Sequence, residues 1–135
     1  EARCAITWFG DGSTSRGDFH EALNWAALQK LPVVFVLENN QYAYSTPLSQ
    51  QFVVDPVERA AAYGLPGVRV DGNDVEAMFA ATWEARERAI SGGGPTLLSL
   101  YTDEGYPARV AQALVGLENR WQAMPLSVSG GARAI

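Results

Sequence analysis

Two short polar clusters hold the residues whose types could do chemistry. One is Gly10-Asp11-Gly12-Ser13, the other Glu38-Asn39-Asn40-Gln41-Tyr42. Asp11 offers a carboxylate, Asn40 a neutral amide oxygen, and the backbone near Tyr42 a carbonyl oxygen. This all-oxygen set suits Mg²⁺, which takes about six oxygens at about 2.0–2.1 Å, usually one or two carboxylates with phosphate oxygens and water. Gly12 and Ser13 leave backbone N–H groups open to phosphate oxygens, ahead of a helix whose N-terminus favours anions. The chemistry implied is the holding of a magnesium diphosphate, with Asp11, Asn40 and Tyr42 as metal ligands and Gly10, Asp11, Gly12, Ser13, Asn40 and Tyr42 around the diphosphate. Taken singly, Gly-Asp-Gly is a plain turn and Asn-Asn a plain loop. Their joint placement carries the argument.

That placement depends on the elements between them. Ala2–Phe9 reads as an apolar strand, rich in β-branched and aromatic residues, that stops at Gly10. Pro32–Glu38 reads as a second buried strand, with proline at its first position, where no ladder donor is missed. Gly17–Lys30 reads as the helix between them, with Leu23, Ala26, Ala27 and Lys30 at helical spacing and Phe19 and Trp25 adding bulk. Strand, helix and strand make a right-handed crossover with parallel strands. Both clusters then lie at the carboxyl end of the sheet, where open α/β sheets bind ligands.

The spacing carries a resemblance. Gly10-Asp11-Gly12, then residues 13–38, then Asn39-Asn40 resembles the thiamine-diphosphate binding motif. Gly17-Asp18-Phe19-His20-Glu21-Ala22-Leu23-Asn24, Lys30–Val36 and Glu38–Pro47 are similar to the alpha subunit of the decarboxylating component of 2-oxo-acid dehydrogenases, the pyruvate, branched-chain and acetoin group. The likeness runs from about Ala5 to Leu98, the central portion of a longer family subunit. It implies thiamine diphosphate and Mg²⁺ as cofactors, and oxidative decarboxylation of a 2-oxo acid with acyl transfer to a lipoyl group. It also implies a beta subunit and the lipoyl domain of the acyltransferase as partners, in an alpha–beta heterotetramer. The family's activating glutamate comes from the beta chain, so no catalytic residue is assigned here.

Further along, residues 43–54 read as a loop in which Tyr44 and Ser45 face either solvent or ligand. Asp55-Pro56 starts a helix to Tyr63, stopped by Gly64. Gly67–Asp71 is a short strand, and Gly72-Asn73-Asp74 caps a helix from Val75 to about Ile90. Met78, Phe79, Thr82 and Ala85-Arg86 keep that helix's period, with Trp83 as its large side chain, and its acids at the start and arginines at the end suit the helix dipole. Gly92-Gly93-Gly94 ends it, and Pro95–Tyr101 is the next strand. The expected fold is a parallel, doubly wound α/β sheet with helices on both faces, a partial thiamine-diphosphate-binding fold, over residues 1–101.

After Leu98 the pattern changes. The family continues with an acidic residue, a Thr-Tyr-Arg and shortly a Gly-His-Ser, a loop around the cofactor. This chain has Ser99 at the acidic position and Asp103-Glu104 after Thr102, with no histidine beyond. Residues 102–135 are expected to form a divergent segment, helical over Ala108–Met124 and frayed from Leu126. This chain, lacking the histidine loop, is expected to bind thiamine diphosphate weakly, if at all, and to release no CO₂ from pyruvate or branched-chain 2-oxo acids even with a beta chain added. A non-catalytic alpha-like subunit is therefore one alternative. A Rossmann dinucleotide oxidoreductase is the other, but Ser15 stands where its third glycine is needed, and Asp11 would repel a pyrophosphate.

Composition sets the outer bounds. A chain of 135 residues, 47% hydrophobic and 19% charged, suits one globular α/β domain with a real core. The net charge of −5 argues against a nucleic-acid or anionic-membrane partner. No apolar run approaches the roughly 20 residues of a membrane span. The start shows no signal-peptide pattern and falls directly on a strand, as in a piece of something longer, and a cytoplasmic setting is expected. The lone Cys4 reads as an inert core thiol. His20, the only histidine, and Glu21 read as structural groups on the first helix rather than as acid–base catalysts.

Overall fold

The computed structural model describes residues 3–102 of the chain. Four strands, β1 (Ala5–Gly10), β2 (Val33–Asn39), β5 (Gly67–Asp71) and β6 (Thr96–Tyr101), form one parallel sheet in the order β1-β2-β6-β5. A two-residue hairpin, β3 (Tyr42–Ala43) with β4 (Thr46–Pro47), stands apart from it, followed by a 3-10 turn at Leu48–Gln50. The helix α1 (Gly17–Gln29) joins β1 to β2, a 3-10 helix at Pro56–Tyr63 lies between β2 and β5, and α2 (Val75–Ile90) returns from β5 to β6. Right-handed crossovers explain the layering. The first two connections move in one direction across the sheet and the third moves back, so α2 falls on the opposite face.

Each face has its own core. Phe19, Leu23 and Ala26 of α1 meet Phe35, Leu37 and Leu97 of the sheet, with Ala60 and Leu65 alongside. Val34, Val36, Val70, Leu98 and Leu100 meet α2 through Ala85, with Ala77, Met78 and Ala81 at the margin. β2 and β6 are the central strands and read as continuous buried runs, as strands covered on both faces should.

Several expectations are corrected here. β1 was expected to be buried, but it pairs only with β2 among the described residues, and Ile6 and Trp8 are 55% and 58% exposed. Cys4 is accordingly half-buried rather than a core thiol. Lys30 is not helical: it closes α1 in the left-handed region at φ 48°, its N–H donating to Ala26 and Ala27 carbonyls. Trp25 points outward. On α2 the sheet-facing row is made of alanines at four-residue spacing, Ala77, Ala81, Ala85 and Ala89, which let the helix lie close, while Phe79 and Trp83 stack on each other and remain exposed.

The helix ends follow the sequence closely. The Asp74 carboxylate accepts from Ala77 N–H and caps α2, worth about 1 kcal/mol. Asp55 Oδ1 accepts from Val57 N–H, and Gly64, at φ 71°, ends the segment that follows. That segment is 3-10 rather than α-helical, and it lies hard against β5: a Cβ on Gly67 would stand 2.3 Å from the Val57 carbonyl oxygen. Among the described residues no helix is long and apolar enough to cross a membrane. The helix expected at Ala108–Met124 and the tail from Leu126 lie outside the described residues.

Candidate diphosphate and metal site

The register of the sheet brings the two polar clusters together. Gly10 pairs with Glu38 in the parallel β1–β2 ladder, so both strands discharge their loops at the same carboxyl end. After Gly10 the chain turns through a 3-10 helix, Asp11–Ser15. After Asn39 it turns sharply into β3, with Gln41 at φ 66°. The two turns touch at Gly12 and Ala43, where a Cβ on Gly12 would stand 2.7 Å from the Ala43 Cβ. Any residue but glycine at position 12 would push them apart.

Asp11 is 2% exposed, and its Oδ2 is a buried oxygen with no hydrogen-bond partner among the described residues. Burial raises its pKa above the ordinary aspartate value, opposed by the N–H groups of Asp11 and Gly12. A buried carboxylate oxygen left without a donor is costly unless a cation or a proton answers it. The turn around it is braced: Thr14 donates to the Asp11 carbonyl at 2.7 Å, and Arg59 donates to the Thr14 carbonyl at 3.1 Å while stacking on Phe52. Ser13 is exposed at the rim.

On the other turn, Asn40 Oδ1 accepts from Tyr42 N–H at 3.0 Å, and Asn39 Oδ1 accepts from Gln41 N–H at 3.2 Å. Asn40 and Tyr42 are half-buried, which leaves the second lone pair of the Asn40 amide oxygen available. Tyr44 and Ser45 are exposed, Tyr44 fully. Beside this turn lies an open groove of 310 Å³ lined in part by Gln41, Tyr42, Leu48, Phe52 and Asp55.

The donor set fits a hard divalent cation that keeps ligand oxygens of its own. Among the described residues no three or more His, Cys, Asp or Glu side chains cluster to hold a metal. A carboxylate oxygen, an amide oxygen and a carbonyl oxygen are donor types that Mg²⁺ takes alongside phosphate and water. The helix α1 starts only at Gly17, and Asp18 stands in its first turn paired with Arg16. The N–H groups that directly follow β1 are those of the Asp11–Ser15 turn, of which the Asp11 and Gly12 N–H groups lie against the Asp11 carboxyl.

Other residues around the site carried little signal in the sequence. Asn39 is completely buried, and no hydrogen-bond partner within normal geometry meets its Nδ2 among the described residues. Asp55 reads from sequence only as a helix cap, yet its Oδ2 also receives the Tyr101 hydroxyl and the Arg69 guanidinium. Arg69 lies over the Tyr101 ring, 4.5 Å from its centroid. His20 Nδ1 and the Tyr63 hydroxyl share a 2.6 Å hydrogen bond on the side of α1, which places His20 as a strut between α1 and the Pro56–Tyr63 segment.

Comparison with known proteins adds independent findings. Residues 1–103 match the family model described as "Dehydrogenase E1 component". The chain is 50% identical over 99 residues to the pyruvate dehydrogenase E1 component subunit alpha of Staphylococcus aureus strain Mu50, covering 73% of this chain and 27% of that subunit. It is 45% identical over 125 residues to the subunit of the same name from Bacillus subtilis strain 168, covering 87% of this chain and 34% of that one. With 87% of the chain covered, this second similarity extends past Leu98, where the family likeness was expected to stop. The chain thus spans roughly a quarter to a third of the length of these relatives. A crystal structure of a transketolase from Pichia stipitis in complex with xylulose 5-phosphate superposes with a TM-score of 0.65 at 27% identity, over 73% of this chain and 15% of that one.

Proposed function

The chain belongs to the dehydrogenase E1 component family, and from that premise we propose that it forms the magnesium and diphosphate anchor of a thiamine-diphosphate-dependent 2-oxo-acid dehydrogenase alpha subunit. The observation that carries this reading is the orphaned Asp11 carboxylate oxygen at a turn pressed against the Asn39–Ala43 turn. Asp11, Asn40 and the backbone at Tyr42 would hold Mg²⁺, and Gly10, Gly12 and Ser13 would line the diphosphate. When bound, thiamine diphosphate supplies the decarboxylating chemistry toward a 2-oxo acid. This chain's own residues bind and orient: the Thr14 and Arg59 bonds hold the Asp11 turn, and the Asn39 and Asn40 bonds hold the opposing one. None of them is assigned a proton to move.

The partners follow from the same family reading. They are a beta subunit in an alpha–beta assembly, the lipoyl domain of an acyltransferase as acyl acceptor, and a 2-oxo acid as substrate, in the cytoplasm. The relatives' name, an E1 component subunit alpha, supports the first of these.

A second reading, an alpha-like subunit that anchors the cofactor without turnover, has one observation behind it. Residues 103–135 contain no histidine, where the family's cofactor loop carries one. The dinucleotide alternative loses its footing to the family match.

Calorimetry decides the main reading. The chain should bind thiamine diphosphate only with Mg²⁺ present, and should ignore NAD⁺. Asp11→Ala should abolish the Mg²⁺-dependent binding while the circular dichroism spectrum stays unchanged. Unaltered affinity in that variant would overturn the assignment. Release of CO₂ from pyruvate on adding a beta chain separates the catalytic from the non-catalytic reading.

A further inference from the structure

We propose that Tyr101, anchored by Asp55, is a positioning residue that sets the Asn39–Tyr42 turn for cation binding. This rests on the cofactor reading above. Tyr101 ends β6 directly beside Asn39 in the β2–β6 register, and both side chains project to the same face of the sheet as Phe35 and Leu37. Two residues on, the chain must enter the left-handed region at Gln41, a conformation that non-glycine residues hold only when their surroundings over-determine it. Four bonds do so. Asn39 Oδ1 takes the Gln41 N–H, Leu48 N–H donates to the Gln41 carbonyl at 2.7 Å, Gln41 Nε2 donates to the Thr102 carbonyl at 3.2 Å, and Thr102 N–H donates to the Asn39 carbonyl at 3.3 Å. Two of the four run to the residue immediately after Tyr101.

Asp55 supplies the anchor. Its Oδ1 is used by the cap at Val57 N–H. A cap needs only one acceptor, so the second oxygen is free for another task. Oδ2 receives the Tyr101 hydroxyl from β6 and Arg69 from β5. The Asp55 carboxylate is only 12% exposed, which shields its charge-assisted bond to Tyr101, while the Arg69 end of the ion pair, 54% exposed, remains open to solvent. Arg69 also covers the ring of Tyr101. The tyrosine is thereby fixed by two elements, and it packs beside the buried Asn39, whose Oδ1 shapes the turn. Asn40 and Tyr42, the two candidate donors on this side of the site, ride on that turn.

Asp55→Asn separates the two tasks of the carboxylate. The amide keeps an oxygen for the cap and replaces the other with an N–H donor, which cannot receive Tyr101 or Arg69. On the full chain, in the assembly in which it is purified, Asp55→Asn and Tyr101→Phe should each weaken Mg²⁺-dependent thiamine diphosphate binding about tenfold. Each should also speed deuterium uptake at residues 39–42 before any ligand is added. The double variant should be no worse than either single, as for residues acting in one chain of contacts. If both variants bind like the parent, or lose only thermal stability while uptake at residues 39–42 is unchanged, the inference is wrong. Should Asp55→Asn not fold, Tyr101→Phe decides alone, because it removes a single hydroxyl. Asp11→Ala, measured alongside, tells the two failures apart. If it binds like the parent, the site reading itself falls and takes this inference with it. If it abolishes binding while Tyr101→Phe leaves binding intact, only the positioning role falls.

Discussion

Gly12 packs against the side chain of Ala43: a Cβ on Gly12 would meet the Ala43 Cβ at 2.7 Å, well inside any real packing distance. The two polar turns, 31 positions apart in the sequence, are therefore held at a spacing that only glycine permits at position 12. Gly12→Ala should separate them. The expected cost in folding stability is about 1–3 kcal/mol, the usual range for overpacking. The loss in Mg²⁺-dependent cofactor affinity should exceed what that destabilisation alone explains, because Asp11 and Tyr42 sit on the two turns being separated. Chemical denaturation and calorimetry on the same samples check both parts. A variant that loses stability but binds normally would show the contact to be packing only.

Metal removal gives a second expectation. Asp11 Oδ2 is buried with no hydrogen-bond partner among the described residues, so a cation that reaches it offsets the desolvation cost of the carboxylate. A ligand that binds only the folded state at about a hundred times its Kd adds about 2.7 kcal/mol to stability. Thermal melts with thiamine diphosphate and Mg²⁺ should therefore rise clearly above melts with either alone, and EDTA should return them to the baseline. Asp11→Ala should show no such rise. A cofactor-dependent rise that survives EDTA would place the diphosphate elsewhere.

Tyr101 sets an alkaline limit. Its phenol is pushed up to about 12, first by burial and then by the hydrogen bond and charge of Asp55, with Arg69 and Asn39 acting the other way. The folded value lies above the unfolded value of 10.0, so the neutral phenol favours the fold. That contribution is fully present below pH 10.0 and is lost as pH rises toward about 12. Tyrosinate absorbance should show a phenol that titrates late, toward about 12. Tyr101→Phe should delete that late step and flatten the loss of stability over the same interval. A titration with no late-ionising phenol, or one in which Tyr101→Phe leaves the late step in place, would contradict the Tyr101–Asp55 bond.

Much of this architecture is legible in the sequence because it is written in local chemistry. The bounds of α2 follow from a capping carboxylate at Asp74 and glycine after Ile90, and β2 and β6 show themselves as unbroken apolar runs. The two site turns could be placed because a parallel crossover leaves no other end for them. What the sequence hid is relational. An apolar edge strand reads the same as a central one, and the exposure of Ile6 and Trp8 follows from β1 having only β2 as a sheet neighbour among the described residues. The alanine row of α2 carries little hydrophobic signal, so Phe79 and Trp83 drew the eye to the wrong face. Asp55 has a sufficient local reason to exist as a cap, and nothing in its neighbourhood announces a partner as distant in sequence as Tyr101.

His20 offers the last test, because histidine next to a cofactor loop invites a catalytic reading. Its Nδ1 shares a 2.6 Å hydrogen bond with the Tyr63 hydroxyl, and its ring meets Phe19 edge to face at 5.2 Å. Phe19 in turn sits in the core under α1. The imidazole thus ties α1 to the end of the Pro56–Tyr63 segment, the same segment whose Arg59 braces the Asp11 turn. His20→Ala should lower stability by about 1 kcal/mol for the lost hydrogen bond, with a further increment for lost ring packing. Tyr63→Phe should reproduce the hydrogen-bond part, and the two variants combined should cost less than their sum. Cofactor affinity should remain at the parent level in all three, since the hydrogen bond and ring contacts of the pair run between α1 and the Pro56–Tyr63 segment. Urea denaturation read against calorimetry settles it: full stability in His20→Ala with impaired cofactor binding would turn the residue from a strut into part of the site.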